Sequence, residues 1–280
     1  MRLVEKSAET ILDTEQLHGL WKGVDVVGDI AIVKIPSELE NNRFRIAENL
    51  LSFVPHLKVV LRQVGPVGSR FRIRRFEWLA GEKRTETVHR EFGCKFKLDL
   101  ERVYFSPRLC HERKRIADLV SRGERIVNFF AGVGSFSIMI AKHAKPSKVY
   151  SLDLNPLALR YHVINNALNG AREIIDVISG DADSLVSSSL VGSADRILLP
   201  LPDLAFRSLP IAKNALKNGH GIVHCYAFVD ARHREEVGSR TLSAFGAFLE
   251  GVGVMRENMH VHVVRSVGPC RYQVCLDIAF

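Results

Sequence analysis

The chain of 280 residues is short of several features that would direct its reading elsewhere. It has no apolar run near the roughly 18 residues of a membrane span, which excludes a spanning helix. Its N-terminus, Met1-Arg2-Leu3-Val4-Glu5-Lys6, lacks the apolar stretch and small-residue site of an export signal. Cysteine is sparse and scattered: Cys94, Cys110, Cys225, Cys270 and Cys275 include no Cys-x-x-Cys pair. A disulfide framework is thereby excluded and no metal site is expected; the thiols read as free and mostly buried. There is no internal repeat and no low-complexity tract. A cytoplasmic, monomeric protein fits all of this.

What is present is ordinary in amount and uneven in placement. Apolar residues make up 46% and charged residues 25%, enough for a sizeable core in one large or two modest domains. The net charge is +8, and residues 1–115 carry 22 Lys/Arg against 16 Asp/Glu, while the remainder has 17 against 15. A basic front half joined to a nearly neutral back half suggests a polyanionic substrate held by the front.

Patterning divides the chain into an α+β domain over 1–107 and an α/β domain over 108–280. In the first, residues 8–21 predict a short helix and residues 24–35 a hairpin about Gly28. Ser37 and Glu40 resemble a capping box for a helix reaching Phe53. Short strands follow at 58–62, 70–79, 85–90, 95–100 and 102–105, with turns at Gly65-Pro66, Gly81-Glu82 and Gly93. In the second, a helix over 108–121 precedes strands near 125–130, 148–153, 174–179, 195–199 and 219–224. Helices near 135–144, 156–168, 206–217 and 231–247 separate them, which predicts a parallel sheet covered on both faces. Residues 259–265 and 272–279 flank Gly268-Pro269 without a helix, so the seven-stranded sheet closes on an antiparallel hairpin.

The most informative stretch is Asn128-Phe129-Phe130-Ala131-Gly132-Val133-Gly134. A strand ending in a Gly-x-Gly turn that opens a helix brings bare backbone near a ligand. Asp153 ends the next strand, where a carboxylate can accept hydrogen bonds from a ribose diol. The third glycine of the dinucleotide fingerprint is missing and aromatic bulk takes its place. The pattern therefore looks more like the S-adenosylmethionine (SAM) pocket of a Rossmann-like methyltransferase than an NAD site. Asp181, after the third strand, could meet an adenine amine; Asp181 or Asp183 could equally cap a helix. Pro200-Leu201-Pro202 after the fourth strand forms either a rigid wall short of two amide donors or a simple terminator.

Two segments carry the substrate side. Arg70, Arg72 and Arg74 alternate with Phe71, Ile73 and Arg75, so that three arginines share one face of a strand, a costly arrangement without an anion. Between the modules, Tyr104-Phe105-Ser106-Pro107-Arg108-Leu109-Cys110-His111-Glu112-Arg113 places Arg108 and Glu112 four apart on a helix. They could form a surface ion pair; equally, Glu112 could take a proton from a substrate nitrogen while the arginines bind phosphate or a carbonyl oxygen.

With these residues the chain resembles the archaeal and eukaryotic Trm5 family of tRNA (guanine-37-N1)-methyltransferases. The similarity runs from about Lys22 to the C-terminus. It is most specific from Phe71-Arg72 through Thr85-Glu86-Thr87-Val88-His89 to Tyr104–Arg108, and in the loop Phe130–Gly134. The resemblance implies a class I SAM methyltransferase domain acting on tRNA at guanosine 37, with SAM as the cofactor. It implies Glu112 as general base and Arg72 as the arginine near guanine O6. Tyr104, Arg108 and Arg113 would order the guanosine and its phosphates, with Arg74 and Arg75 as further RNA contacts. Phe130, Gly132, Gly134, Asp153, Asp181 and Pro200 would line the cofactor.

Three positions depart from the family pattern. Asn128 stands where Asp is common, and Pro200-Leu201-Pro202 replaces Asn-Leu-Pro, as in an archaeal subgroup acting on a wyosine intermediate at position 37. The resemblance, starting near Lys22, leads us to expect that the chain does not hold the extra N-terminal domain of many archaeal members. Taw2-type aminocarboxypropyltransferases share the fold but tend to have Asn after Ser-Pro, so Arg108 favours methyl transfer. A non-catalytic RNA-binding module would predict a degraded cofactor loop.

Overall fold

The computed structural model describes residues 7–9, 12, 23–68 and 70–280. The helix expected over 8–21 lies almost wholly outside the described residues. The chain divides into two compact units, residues 1–110 and 111–280.

The first unit is built on a four-stranded sheet, β1 (Asp25–Val27), β2 (Ile30–Val33), β3 (Val59–Gly68) and β4 (Ile73–Gly81), in that order. β1 and β2 form the expected antiparallel hairpin, β2 and β3 run parallel, and β3 and β4 are antiparallel. Helix α1 (Arg43–Phe53) lays Ile46, Ala47 and Leu50 against Ala31, Val33, Val60 and Leu79, which makes this unit's core. A separate hairpin, β5 (Glu86–Glu91) with β6 (Cys94–Asp99), completes it.

Four local expectations in this unit are corrected. No capping box forms: residues 37–42 wind as a 3-10 turn, Ser37 Oγ donates to Glu38, and the Glu40 carboxylate is taken by Arg62 at 2.7 Å. Gly65-Pro66 is not a turn but lies inside β3, at an interruption in the ladder between Val64 and Gly68 where a missing N–H costs little. Residues 102–105 are not a strand, because Arg102 and Val103 both turn back onto the Asp99 carbonyl while the Asp99 carboxylate accepts the Glu101 amide. The arginine face also fails to form. Residues 70–72 are a turn, Arg72 has φ +55°, and β4 starts only at Ile73, leaving Arg74 and Arg75 as the arginines of the strand.

The second unit begins with helix α2 (Cys110–Leu119), shorter than the span of 108–121 and preceded by a 3-10 turn at Pro107–Leu109. Its sheet is made of β7 (Arg125–Asn128), β8 (Lys148–Asp153), β9 (Ile175–Ser179), β10 (Arg196–Leu199), β11 (Ile222–Asp230), β12 (Met259–Gly268) and β13 (Arg271–Ala279). The strand order is β12-β13-β11-β10-β7-β8-β9. The five strands from β11 to β9 are parallel, and β13 and β12 run antiparallel, which is the closing hairpin the sequence implied. The connecting helices are α3 (Ser135–His143), α4 (Pro156–Leu168), α5 (Ala182–Leu185), α6 (Pro202–Ala215) and α7 (Val237–Gly251). Buried runs such as Ile197-Leu198-Leu199 are apolar on both faces because helices cover both sides of the sheet. β12 lies at the margin and slips register twice, between Val263 and Arg265 and between Ser266 and Gly268.

The order reverses at β7, whose neighbours are β8 on one side and β10 on the other. Chain leaving β7 and β10 therefore departs to opposite faces and leaves a crevice at the carboxyl ends of the strands, where ligands bind in such sheets. No helix among the described residues is long and apolar enough to cross a membrane.

Candidate active site

The loop after β7 is fixed from beneath and open above. Phe129 is buried and its amide donates to the Leu198 carbonyl at 2.9 Å; the Ala131 amide donates to the Leu152 carbonyl at 2.8 Å. Between them Phe130 adopts φ +56°, a left-handed conformation that a non-glycine residue holds at a cost of roughly 1–2 kcal/mol. Gly132 (φ +57°) and Gly134 (φ +86°) continue the turn into α3. The two glycines serve different ends. A Cβ on Gly134 would stand 2.2 Å from Cδ2 of His162, so this position must be bare for α4 to pack beneath it. A Cβ on Gly132 would meet nothing within 4 Å, so bare backbone faces open space there.

Beneath the loop is a buried polar layer. Asn128 Nδ2 donates to Ser137 Oγ at 2.9 Å, Ser151 Oγ to Ser137 Oγ at 2.7 Å, and Asn165 Nδ2 to the Val133 carbonyl at 3.1 Å. Asn128, where the family pattern favours Asp, is thus a neutral strut. His162 is 0% exposed with neither ring nitrogen hydrogen-bonded. Burial pushes its pKa down to about 3, so the ring is neutral at physiological pH.

Asp153 ends β8 and ties the loop to its neighbour. Its Oδ2 accepts the Gly132 amide at 2.6 Å and its Oδ1 accepts the Asn155 amide at 2.8 Å. Burial raises its carboxyl above the usual value, against the pull of the Asn155, Gly132 and Leu154 amides. A carboxylate offers about four lone-pair sites, so with these three amides at least one stays open to a ribose hydroxyl. Asp181 caps α5, accepting from the amide and hydroxyl of Ser184 at 3.2 Å each. Its neighbour Asp183 has a buried Oδ1 without a partner. Pro200 is half-buried between β10 and α6, with Pro202 in the first turn of that helix. Four strand ends thus bring Phe130, Gly132, Gly134, Asp153, Asp181 and Pro200 to one edge of one sheet.

Glu112 lies on α2 and is only 4% exposed. It does not pair with the residue four before it: Arg108 bonds Asp25 Oδ1 at 2.6 Å within the first unit. Glu112 instead receives a two-pronged contact from Arg115, with Nε to Oε2 and Nη2 to Oε1 both at 2.8 Å. The Tyr226 hydroxyl donates to Oε1 at 2.7 Å, and His262 Nε2 stands 3.5 Å from Oε2. Behind them Arg115 Nη1 reaches Asp277 at 2.7 Å, Asp277 Oδ1 lies 2.5 Å from His224 Nδ1, and His224 Nε2 lies 2.8 Å from Arg196 Nη1. Arginine can only donate, so His224 Nε2 accepts and its proton is on Nδ1, facing Asp277. Burial would raise the Asp277 carboxyl, but the bonds from His224 and Arg115 outweigh it and hold the group well below the usual carboxylate range. Burial pushes the Tyr226 phenol and the Cys275 thiol up, so both stay protonated. His224, Cys275 and Asp277 place one donor atom each within 4.8 Å of one another, but Arg115 and Arg196 already supply positive charge there. The sequence reading missed Arg115, Tyr226, His262 and Asp277; only Arg115, one helical turn from Glu112, carried a local signal.

The arginines of the first unit are disposed differently from one another. Arg72 holds its guanidinium 5.4 Å from the Tyr104 ring centre, a cation–π distance. Arg75 is exposed, and Arg74 is half-buried with an Nε that finds no partner. Arg108 is exposed beside Asp25, whereas Arg113 is 1% exposed and does not present its charge to solvent. A groove of about 700 Å³, unsuspected from the sequence, is lined by Asp29, Arg84, Thr87, His89, Arg90 and Lys97 among others.

Comparison with known proteins also gives two parts, meeting near residue 86 and so earlier than the two compact units do. The family model for the TRM5/TYW2 methyltransferase domain matches residues 87–247, and that for the TYW2 N-terminal domain matches residues 4–85. A relative in Saccharolobus solfataricus, tRNA 4-demethylwyosine(37)-methyltransferase Taw21, is 37% identical over 92% of this chain and 94% of its own. Trm5b of Pyrococcus abyssi, a tRNA (guanine(37)-N(1))-methyltransferase, is 34% identical over 90% of this chain and 73% of its own. Among solved structures, the complex of aTrm5 with tRNALeu superposes with a TM-score of 0.82 at 31% identity, covering 100% of this chain and 78% of that one.

Proposed function

Because the chain belongs to the TRM5/TYW2 methyltransferase family, whose members are SAM-dependent tRNA-modifying enzymes, we propose that it methylates N1 of guanosine 37 in tRNA. SAM, when bound, supplies an electrophilic methyl group on a sulfonium. Asp153 would accept from the ribose, Phe130 and the bare backbone of Gly132, continued by Gly134, would border the cofactor, and the other oxygen of Asp181 would meet the adenine amine. Pro200-Leu201-Pro202 offers a wall with two fewer amide donors, which leaves the reacting face without competing hydrogen bonds.

Glu112 acts on the substrate. The N1–H of guanine is a weak acid, so its removal needs a base and a cation at O6, where negative charge grows. We assign the proton to Glu112 and the charge at O6 to Arg72, whose guanidinium lies 5.4 Å from the Tyr104 ring centre. Tyr104, Arg108, Arg74 and Arg75 bind the RNA around an extruded base. Arg113, being buried, contributes through the fold of α2 unless it unpacks.

The observation that carries this reading is the Glu112 carboxylate, buried and oriented by two donors yet with a lone pair on Oε2 still open. A second reading, methyl transfer to 4-demethylwyosine at the same position, is favoured by Pro200 and by the near full-length match to Taw21. Incubation with SAM and either unmodified tRNA transcript or tRNA bearing the wyosine precursor, followed by nucleoside mass spectrometry, tests both. A methyl gain on guanosine 37 is expected; a gain confined to the precursor, or an aminocarboxypropyl gain, overturns it. Glu112→Ala is expected to lower turnover by roughly 10²- to 10⁴-fold while SAM affinity is kept.

A further inference from the structure

We propose that His262 is the proton exit of this enzyme, carrying to solvent the proton that Glu112 removes from the nucleobase at each turnover. The inference rests on the reading of Glu112 as the base.

Methylation of N1 forms one N–C bond, breaks the methyl–sulfur bond and releases one proton, which must leave the protein before Glu112 can act again. Glu112 is poorly placed to release it directly. The carboxylate is 4% exposed, and three of its roughly four lone-pair sites are filled by Arg115 twice and Tyr226 once. None of these neighbours can take a proton onward. A guanidinium has no acceptor, and the Tyr226 phenol is buried with its own proton held. Asp277 is sequestered behind Arg115 and engaged by His224.

His262 has both needed properties. Its Nε2 lies 3.5 Å from Glu112 Oε2, a separation that a small rotation closes. Its side chain is 36% exposed, on the marginal strand β12, so the ring has the contact with water that Glu112 lacks. The charged and titratable groups facing it are Glu112 and Arg115 on α2, Asp277 on β13 and His260 along its own strand. Burial, and after it Arg115, lower its pKa, so the imidazole is neutral at physiological pH and can accept. The sequence of transfers is N1–H to Glu112 Oε2, Glu112 to His262 Nε2 of the Nδ1–H tautomer, and from the imidazolium to water; when the Nδ1 proton is the one lost, a ring flip or proton exchange with water restores the accepting tautomer.

Single-turnover and steady-state methylation of tRNA, measured for the wild type, His262→Ala, His262→Gln and Glu112→Gln, tests the relay. The first turnover does not wait on a proton left by an earlier one and so depends less on the exit than later ones do. In both His262 variants the ratio of single-turnover to steady-state rate is expected to rise about tenfold or more. Added imidazole should restore the steady-state rate of His262→Ala. His262→Gln, which keeps hydrogen bonding without titrating, should lose that limb of the acid side of the wild-type pH profile assigned to protonating His262. If Glu112→Gln is inactive while the His262 variants keep the wild-type ratio and ignore imidazole, the relay is wrong and the base stands. If the His262 variants slow both regimes equally without rescue, His262 is structural and the relay is again wrong. If Glu112→Gln keeps wild-type turnover, the base reading falls and the relay with it.

Discussion

Gly134→Ala tests how the cofactor loop is held. At φ +86° an alanine meets the left-handed penalty of roughly 1–2 kcal/mol. Its methyl would also stand 2.2 Å from Cδ2 and 2.3 Å from Nε2 of His162, a ring with no exposed surface into which to retreat. Overpacking of this kind costs about 1–3 kcal/mol. The sum, about 2–5 kcal/mol, corresponds to a fall in melting temperature of roughly 5–15 °C for a unit of this size. Gly132→Ala isolates the backbone part, since its methyl meets nothing; it should melt within a few degrees of the wild type yet bind SAM less well. His162→Ala makes room for the alanine methyl, so a thermodynamic cycle of the two single variants and the double variant should give a coupling of about 1–3 kcal/mol. Thermal unfolding followed by circular dichroism, with calorimetric titration of SAM, measures both effects. A Gly134→Ala protein that melts with the wild type, or a double variant that equals the sum of its singles, would refute the packing argument.

Asp153→Ala should raise the SAM dissociation constant by about tenfold to a thousandfold, since hydrogen bonds to a charged group contribute about 1.5–3 kcal/mol; an unaltered constant in the same titration would remove the ribose assignment. His162 gives a pH prediction. Its folded pKa of about 3 lies below the unfolded value near 6.5, so the unfolded chain binds the proton first. Its contribution is therefore complete above about pH 6.5 and is lost as pH falls, at about 1.4 kcal/mol per unit. Against the wild type, His162→Leu should flatten the urea-derived stability profile between pH 6.5 and about 3 by one proton, and parallel profiles would contradict the neutral buried ring. Replacing Arg72, Arg74 and Arg75 with alanine should lower the slope of log affinity for tRNA against log salt by up to about 2. An identical slope in filter binding would place the RNA elsewhere.

The second unit was legible because its signals are local and repeated. β8 and α4 fall on 148–153 and 156–168 residue for residue, the latter because Asn155 caps the helix and Pro156 opens it. The alternation of strands with helices announced the parallel sheet. The first unit was harder, since its turns depend on side chains bonding backbone: Asp99 converts an apparent strand at 102–105 into a turn. The arginine strand failed for a related reason, as alternation cannot reveal that residues 70–72 are the turn joining β3 to β4. Helix α5 was read only through its cap, as one of two readings of Asp181 and Asp183, because Ala182–Leu185 is a single turn followed by a serine-rich π-turn with little periodicity. In the site, the loop and Asp153 were visible as a motif, but the company of Glu112 was not. Tyr226, His262 and Asp277 lie 114 or more positions away along the chain and meet it only when β11, β12 and β13 align.

The two register slips of β12 bear on how the molecule behaves at high concentration. A straight outer strand exposes a regular row of amides and carbonyls onto which a second chain can be added, and proteins commonly guard against this with irregular, charged margins. In β12 the slips bracket Arg265 and Ser266, and His260 and His262 precede them, so the outward hydrogen-bonding groups fall out of step with any regular incoming strand. The same irregular margin that keeps His262 in contact with water thus makes this boundary of the sheet a poor template for fibril growth.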